Sequence, residues 1–237
     1  MTRLADSPLD EPPPPPLEWR FYSRPGFLII FSIIGLIGIA GFIWRHFILI
    51  RNFDPPAETS EAVLNLRQLG LALFEFEKEY GSLPNESTIP RVLAETKTDL
   101  NLGNKSSNDF FRQLLTIRYA PREKDFHAKI PGVHKPDEVI TGDKALEKCE
   151  VGFAYIMGST KDSNPSRPLV MAPVIPGTDR FDPKPFKGRA LVLRLDNSVT
   201  SMKIGDNGRI MTGDHSLMDP HNLIWGDHPP VIVWPAL

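Results

Sequence analysis

With 237 residues, 41% of them hydrophobic and 24% charged, the chain carries enough apolar material for one folded domain and is too balanced in composition for wholesale disorder. A formal net charge of -2, with 22 basic against 25 acidic residues after Arg51, gives the chain no overall pull toward nucleic acid or an anionic surface, and neither is expected as a partner on charge. Cys149 is the single cysteine, so neither an intrachain disulfide nor a cysteine-based zinc site can form, and stability must come from packing. Cys149 itself reads as a small buried apolar residue.

Residues 1–25 form a proline-rich tail, with Pro12 to Pro16 in a short acidic stretch that samples extended polyproline conformations and cannot build a core. Residues 26–50 hold a membrane anchor. Phe27 to Trp44 is an 18-residue run without a charge. As a helix rising ~1.5 Å per residue it spans ~27 Å, close to the hydrocarbon thickness of a bilayer. Arg3, Arg20 and Arg24 precede it and Arg45 and Arg51 follow, a small bias toward an N-terminus inside the cell.

Residues 51–237 read as the soluble domain. Asp54-Pro55-Pro56 has the chemistry of a helix start, and Gly81 followed by Pro84 that of a helix stop. Between them Ala62, Leu66, Leu69, Leu73, Phe76 and Tyr80 recur at steps of four and three residues, which predicts one apolar face, with Arg67, Glu75, Glu77 and Lys78 mostly off it. Two shorter helices are predicted at Pro90 to Thr96 and at Asp109 to Ile117, the second presenting Phe110, Phe111, Leu114 and Leu115. From Val151 the pattern changes to short β-rich runs: Val151 to Met157, Leu169 to Val174, Ala190 to Leu195, Val199 to Ile204 and Val231 to Trp234. Asp196-Asn197-Ser198 and Asp206-Asn207-Gly208 have turn chemistry, so an antiparallel meander is expected. Met202 and Ile204, with Leu191, Leu193 and Leu195, are expected on one apolar sheet face, covered by the long helix. The fold class is α+β.

The order of these parts, and the run Asn65-Leu66-Arg67-Gln68-Leu69-Gly70-Leu71-Ala72-Leu73 followed by Glu79-Tyr80-Gly81-Ser82-Leu83-Pro84, resemble bacterial type IV pilin-like proteins and type II secretion pseudopilins. Gly152-Phe153-Ala154-Tyr155, Phe181-Asp182-Pro183 and Ala190 to Val199 are similar too. The resemblance implies a pilin-like domain, a long helix on a small antiparallel sheet. It also implies an inner-membrane location with a cytoplasmic N-terminus, a periplasmic domain, and pilin-like subunits or envelope proteins as partners besides the bilayer. Gly26-Phe27 matches the family's processing junction, but Phe31 stands where the family carries a glutamate. Cleavage there is therefore expected to be inefficient or absent.

Asp206, Asn207, Asp214 and Asp219 are similar to the calcium-binding loop of the major secretion pseudopilins, which implies a candidate calcium site, with a plain turn as the simpler reading. No other cofactor is implied. Asp214-His215, Asp219-Pro220-His221 and Asp227-His228 offer ligand types that a metal-dependent hydrolase would use, although their spacing matches no helix-face pair. The sequence thus reads as a membrane-anchored structural or interaction protein, the alternatives being an anchored metal-dependent hydrolase that uses this His/Asp loop and an anchored module that binds envelope components.

Overall fold

A computed structural model describes residues 57–118, 120–160 and 162–237, together with Gly35, Gly38, Ile39 and Gly41, which are helical. The chain divides into two units, Met1–Asp54 and Pro55–Leu237. Apart from those four residues, the proline-rich tail, the Phe27 to Trp44 anchor and the Asp54 helix cap lie outside the described residues. Among the described residues no helix is long and apolar enough to cross a membrane.

The second unit begins with helix α1, Ala57–Tyr80. It ends where Gly81, at φ +80°, donates its amide to the Glu77 carbonyl at 2.7 Å, a left-handed closure that glycine adopts without strain. All six residues of the expected stripe are buried, from Ala62 and Leu66 through Leu69, Leu73 and Phe76 to Tyr80. Asn85 then caps a 3-10 turn, Glu86–Thr88, that leads into α2, Ile89–Thr96, with proline in its first turn. Helix α3, Ser107–Arg112, starts at a capping box made by Ser106 and Asp109 and continues as a 3-10 turn over Gln113–Thr116, burying Phe110, Phe111, Leu114 and Leu115. Phe111 lies 5.3 Å from the Phe126 ring and 5.5 Å from that of Tyr155, which ties this helical layer to the sheet.

The sheet has five antiparallel strands in the order β4-β3-β2-β1-β7. They are β1 (Ala154–Met157), β2 (Pro168–Ala172), β3 (Arg189–Arg194), β4 (Val199–Lys203) and β7 (Val231–Val233). The last strand returns to pair with the first, Ile232 opposite Ile156. Two short strands, β5 (Met211–Thr212) and β6 (His215–Ser216), form a separate hairpin. The molecule is therefore α+β, with strands where the β-rich runs predict them.

One expectation about the sheet needs correction. Met202 and Ile204 do not share a face with Leu191, Leu193 and Leu195. Leu191 and Leu193 belong to the cluster around α1, whereas Met202 and Ile204 join Ala190 and Val192 on the opposite face. The register explains this, because Met202 lies opposite Ala190 and Val199 opposite Leu193, and directly paired residues point to the same side. Both faces are apolar. The second is covered by the irregular segment after β4, which contributes Ile204, Ile210, Leu217, Met218 and Trp225. A sheet buried on both sides accounts for β2 and β3 reading as near-continuous apolar runs instead of alternating ones.

Gly70 sets how closely α1 approaches the sheet. A Cβ there would lie 2.0 Å from Asn197 Oδ1 and 3.0 Å from the Leu193 side chain, so its absence leaves room for the Asn197 amide of the β3-β4 turn against the helix. On its other flank α1 meets the 3-10 turn Glu123–Phe126, and Asn65 Nδ2 donates to the His127 carbonyl at 2.8 Å. Burial lowers the pKa of the His127 imidazole below its ordinary value near 6.5. The unfolded chain therefore takes up this proton first as the pH falls, and the stability tied to the neutral ring is present above about pH 6.5 and is lost below it. The thermal midpoint is accordingly expected to fall between about pH 7.5 and about pH 5.5, and to fall less in His127→Gln; an identical profile for the two proteins would refute the assignment.

Candidate functional site

The 3-10 turn Glu123–Phe126 buries the Phe126 ring in the core on one side and the Glu123 carboxylate beneath the following loops on the other; neither side chain is exposed. Two stretches of loop arrive over it. One carries Asp137, the other runs from Ala145 to Glu150 and is held from behind by α3. Arg112 donates to the carbonyls of Ala145 at 2.7 Å and Leu146 at 3.2 Å, and Asn108 donates to those of Leu146 at 3.1 Å and Glu147 at 2.9 Å. With their carbonyls engaged there, these residues turn their amides toward the acids. Leu146 N–H donates to Glu123 Oε1 at 2.6 Å and Glu147 N–H to Glu150 Oε2 at 2.6 Å. Asp137 N–H donates to Glu150 Oε1 at 3.3 Å.

The outcome is a triad. One oxygen each from Glu123, Asp137 and Glu150 lies within 4.8 Å of the other two, with both glutamates buried and the aspartate exposed. Glu123 Oε2 is buried and has no hydrogen-bond partner. Burial pushes the Glu123 carboxyl above its ordinary value, opposed by the Leu146 and Glu138 amides and reinforced by the charges of Glu150 and Asp137. The surrounding backbone is bent to fit: Glu138, Leu146 and Cys149 take positive φ values of 64°, 49° and 68°, a region that residues other than glycine adopt at a cost. Cys149 is half-buried, not the fully buried apolar residue expected; its amide donates to the Ala236 carbonyl at 2.7 Å and its carbonyl accepts from the His134 amide.

The residues singled out in the sequence lie elsewhere. Asp206 and Asn207 occupy a tight turn in which Gly205 N–H donates to the Arg209 carbonyl at 2.8 Å and Asn207 Oδ1 accepts from Arg209 N–H at 3.0 Å. Asp214 is exposed at the tip of the β5-β6 hairpin. Asp219 bridges two imidazoles, with Oδ2 at 3.0 Å from His215 Nδ1 and Oδ1 at 3.1 Å from His221 Nδ1, and the His221 amide, which donates to Oδ1 at 2.9 Å, together with the His215 and His221 imidazoles pushes its pKa down to about 2. Asp206, Asp214 and Asp219 do not gather as a three-ligand group; among the described residues the triad is the group that does. His228 lines a cleft beside Tyr155, whose phenol donates to the Pro84 carbonyl at 3.0 Å and is pushed far above its ordinary pKa by burial.

Nothing in the sequence marks the triad. Its members are separated by 14 and 13 residues across proline- and glycine-containing loops, so no helical or strand periodicity relates them. The chain matches no protein-family model, and no curated protein or solved structure is significantly similar to it.

Proposed function

We propose that the chain is a membrane-anchored structural or interaction protein without an active site, an accessory pseudopilin-like component of a secretion or pilus-like assembly at the cell inner membrane. The observation that carries this reading is the outward face of α1. Leu64, Leu71 and Phe74 stand 58%, 51% and 59% exposed on the side of the helix opposite its buried stripe. They follow one another at steps of seven and three residues, so they form a single row. The row flanks a cleft of about 320 Å³ between α1 and the segment that carries Ala120, Pro121 and Arg122, with Leu71 in its wall. Burying such a row against another subunit recovers roughly 25 cal/mol for each Å² of apolar surface removed from water. Resemblance to the pilin-like families in the stretch Asn65 to Pro84, which includes this helix, supports a partner of the same kind or another envelope protein.

A photo-crosslinking residue at position 74, activated in native membranes, is expected to yield discrete protein adducts that the same residue at exposed Lys184 does not give. Phe74→Glu is expected to reduce capture by a crosslinker at position 71 several-fold while changing stability by no more than about 0.5 kcal/mol, as substitutions on an exposed surface do. Adducts to lipid alone, or the same adducts from both positions, would sink the proposal.

A further inference from the structure

We propose that Glu123, Asp137 and Glu150 form a binding site for a hard divalent cation of the calcium type, which fastens the loops between Arg122 and Val151 to one another. The cluster of carboxylates is one observation. The second and independent one is Glu123 Oε2, an oxygen of a fully buried side chain of the cluster that accepts no hydrogen bond of good geometry. A carboxylate oxygen withdrawn from water and left unbonded is among the most unfavourable arrangements in a protein interior, so something at this position should meet it.

A water molecule, a proton or a cation could do so, and a water would leave the mutual repulsion of three carboxylates unrelieved. A carboxyl pair sharing a proton brings its oxygens to roughly 2.5 to 2.7 Å. No hydrogen bond of that kind links the Glu123 carboxyl to the other two side chains, and its Oε2 accepts none. A calcium ion instead holds each oxygen at roughly 2.3 to 2.6 Å, so two ligands on opposite sides of it stand up to roughly 5 Å apart. The three oxygens here all lie within 4.8 Å of one another, inside that limit. Donors that are all carboxylate oxygen suit a hard cation and not zinc or copper. Exposure of Asp137 leaves the outer side open to water, which completes the six to eight oxygens that calcium usually takes.

The basic residues nearby leave the triad's charge in place. Lys144 feels Asp137 and Glu150, but its ammonium pairs with Glu147 at 2.9 Å. Arg112 spends its donors on Asp109 and on the carbonyls of Asn101, Ala145 and Leu146. Arg122 pairs with Asp125 at 3.3 Å.

The site is distinct from Asp206, Asn207, Asp214 and Asp219, and the test separates the two. Purified full-length chain in detergent, stripped with a chelator, is titrated with calcium chloride while the heat of binding and the thermal midpoint are followed. A saturable heat and an upward shift of the midpoint are expected. Asp137→Asn, which removes a ligand charge at an exposed position, and Glu123→Gln, which keeps an acceptor for the Leu146 amide, should each weaken binding tenfold or more. Asp206→Asn and Asp219→Asn should leave it unchanged. Binding that survives in Asp137→Asn and Glu123→Gln but is lost in the other two would overturn the assignment. So would the absence of any saturable heat, or a Glu123→Gln protein that is more stable than the parent with calcium affecting neither, since Glu123 would then be a neutral buried acid. These readouts do not depend on a protein partner, so the crosslinking result and this one can fail separately.

Discussion

Leu69→Ala and Leu73→Ala are each expected to lower stability by about 2 to 5 kcal/mol, the range for removing a buried leucine when the surroundings relax only partly. Leu69 is 0% and Leu73 1% exposed, in the middle of the α1 stripe that meets Leu191 and Leu193 on the sheet. A loss of that size is a large part of the roughly 5 to 15 kcal/mol that holds a typical domain together. Glu75→Ala and Lys78→Ala serve as the comparison. Their ion pair spans 3.8 Å between largely solvated side chains, so each change should shift stability by only a few tenths of a kcal/mol. Urea unfolding of the unit Pro55–Leu237 supplies the numbers. Equal, small effects at Leu73 and Lys78 would mean that α1 is not docked on the sheet, and the pilin-like reading would lose its structural basis.

Those leucines were legible in the sequence because a helix repeats its buried face every three to four residues, and the stripe from Ala62 to Tyr80 obeys that rule without interruption. The strands were legible for a related reason: runs such as Leu191-Val192-Leu193 between turn residues have few other uses, and Asn197 takes the left-handed turn conformation, φ 62°, for which asparagine is suited. What the runs did not carry was their partner on each side. A continuous apolar strand gives no sign of which alternate residues face the helix, and only the register, Met202 opposite Ala190, assigns them. The His/Asp cluster was visible because its members are close in sequence, and Asp219 does bond both His215 and His221. The triad was invisible for the converse reason. Its three acids come from a 3-10 turn and two separate stretches of loop, and the Arg112 and Asn108 side chains that hold the stretch leading to Glu150 belong to a helix whose apolar residues were the readable ones.

Trp225→Ala is expected to cost about 3 to 5 kcal/mol, the range for truncating a fully buried large aromatic residue, and it tests the half of the core that periodicity did not reveal. Trp225 is 1% exposed within the cluster formed by Ile156, Met171, Val192 and Ile210 on the sheet face away from α1. Its indole N–H donates to the Leu217 carbonyl at 2.8 Å, and the Arg167 guanidinium lies 5.6 Å from the ring centre while donating to the Ile224 carbonyl at 2.8 Å. Truncation would empty the ring's volume and strand a buried carbonyl together. Trp225→Phe should fall between truncation and the parent, since it keeps most of the apolar surface and loses the hydrogen bond, worth roughly 1 to 3 kcal/mol when the acceptor is left buried. Leu223→Ala, two residues away and 93% exposed, should have almost no effect. The same urea unfolding measures all three, and hydrogen exchange of the β3 amides locates the damage. If Trp225→Ala behaves like Leu223→Ala, the segment after β4 does not cover the sheet, and Ala190 and Val192 would need some other surface to bury them.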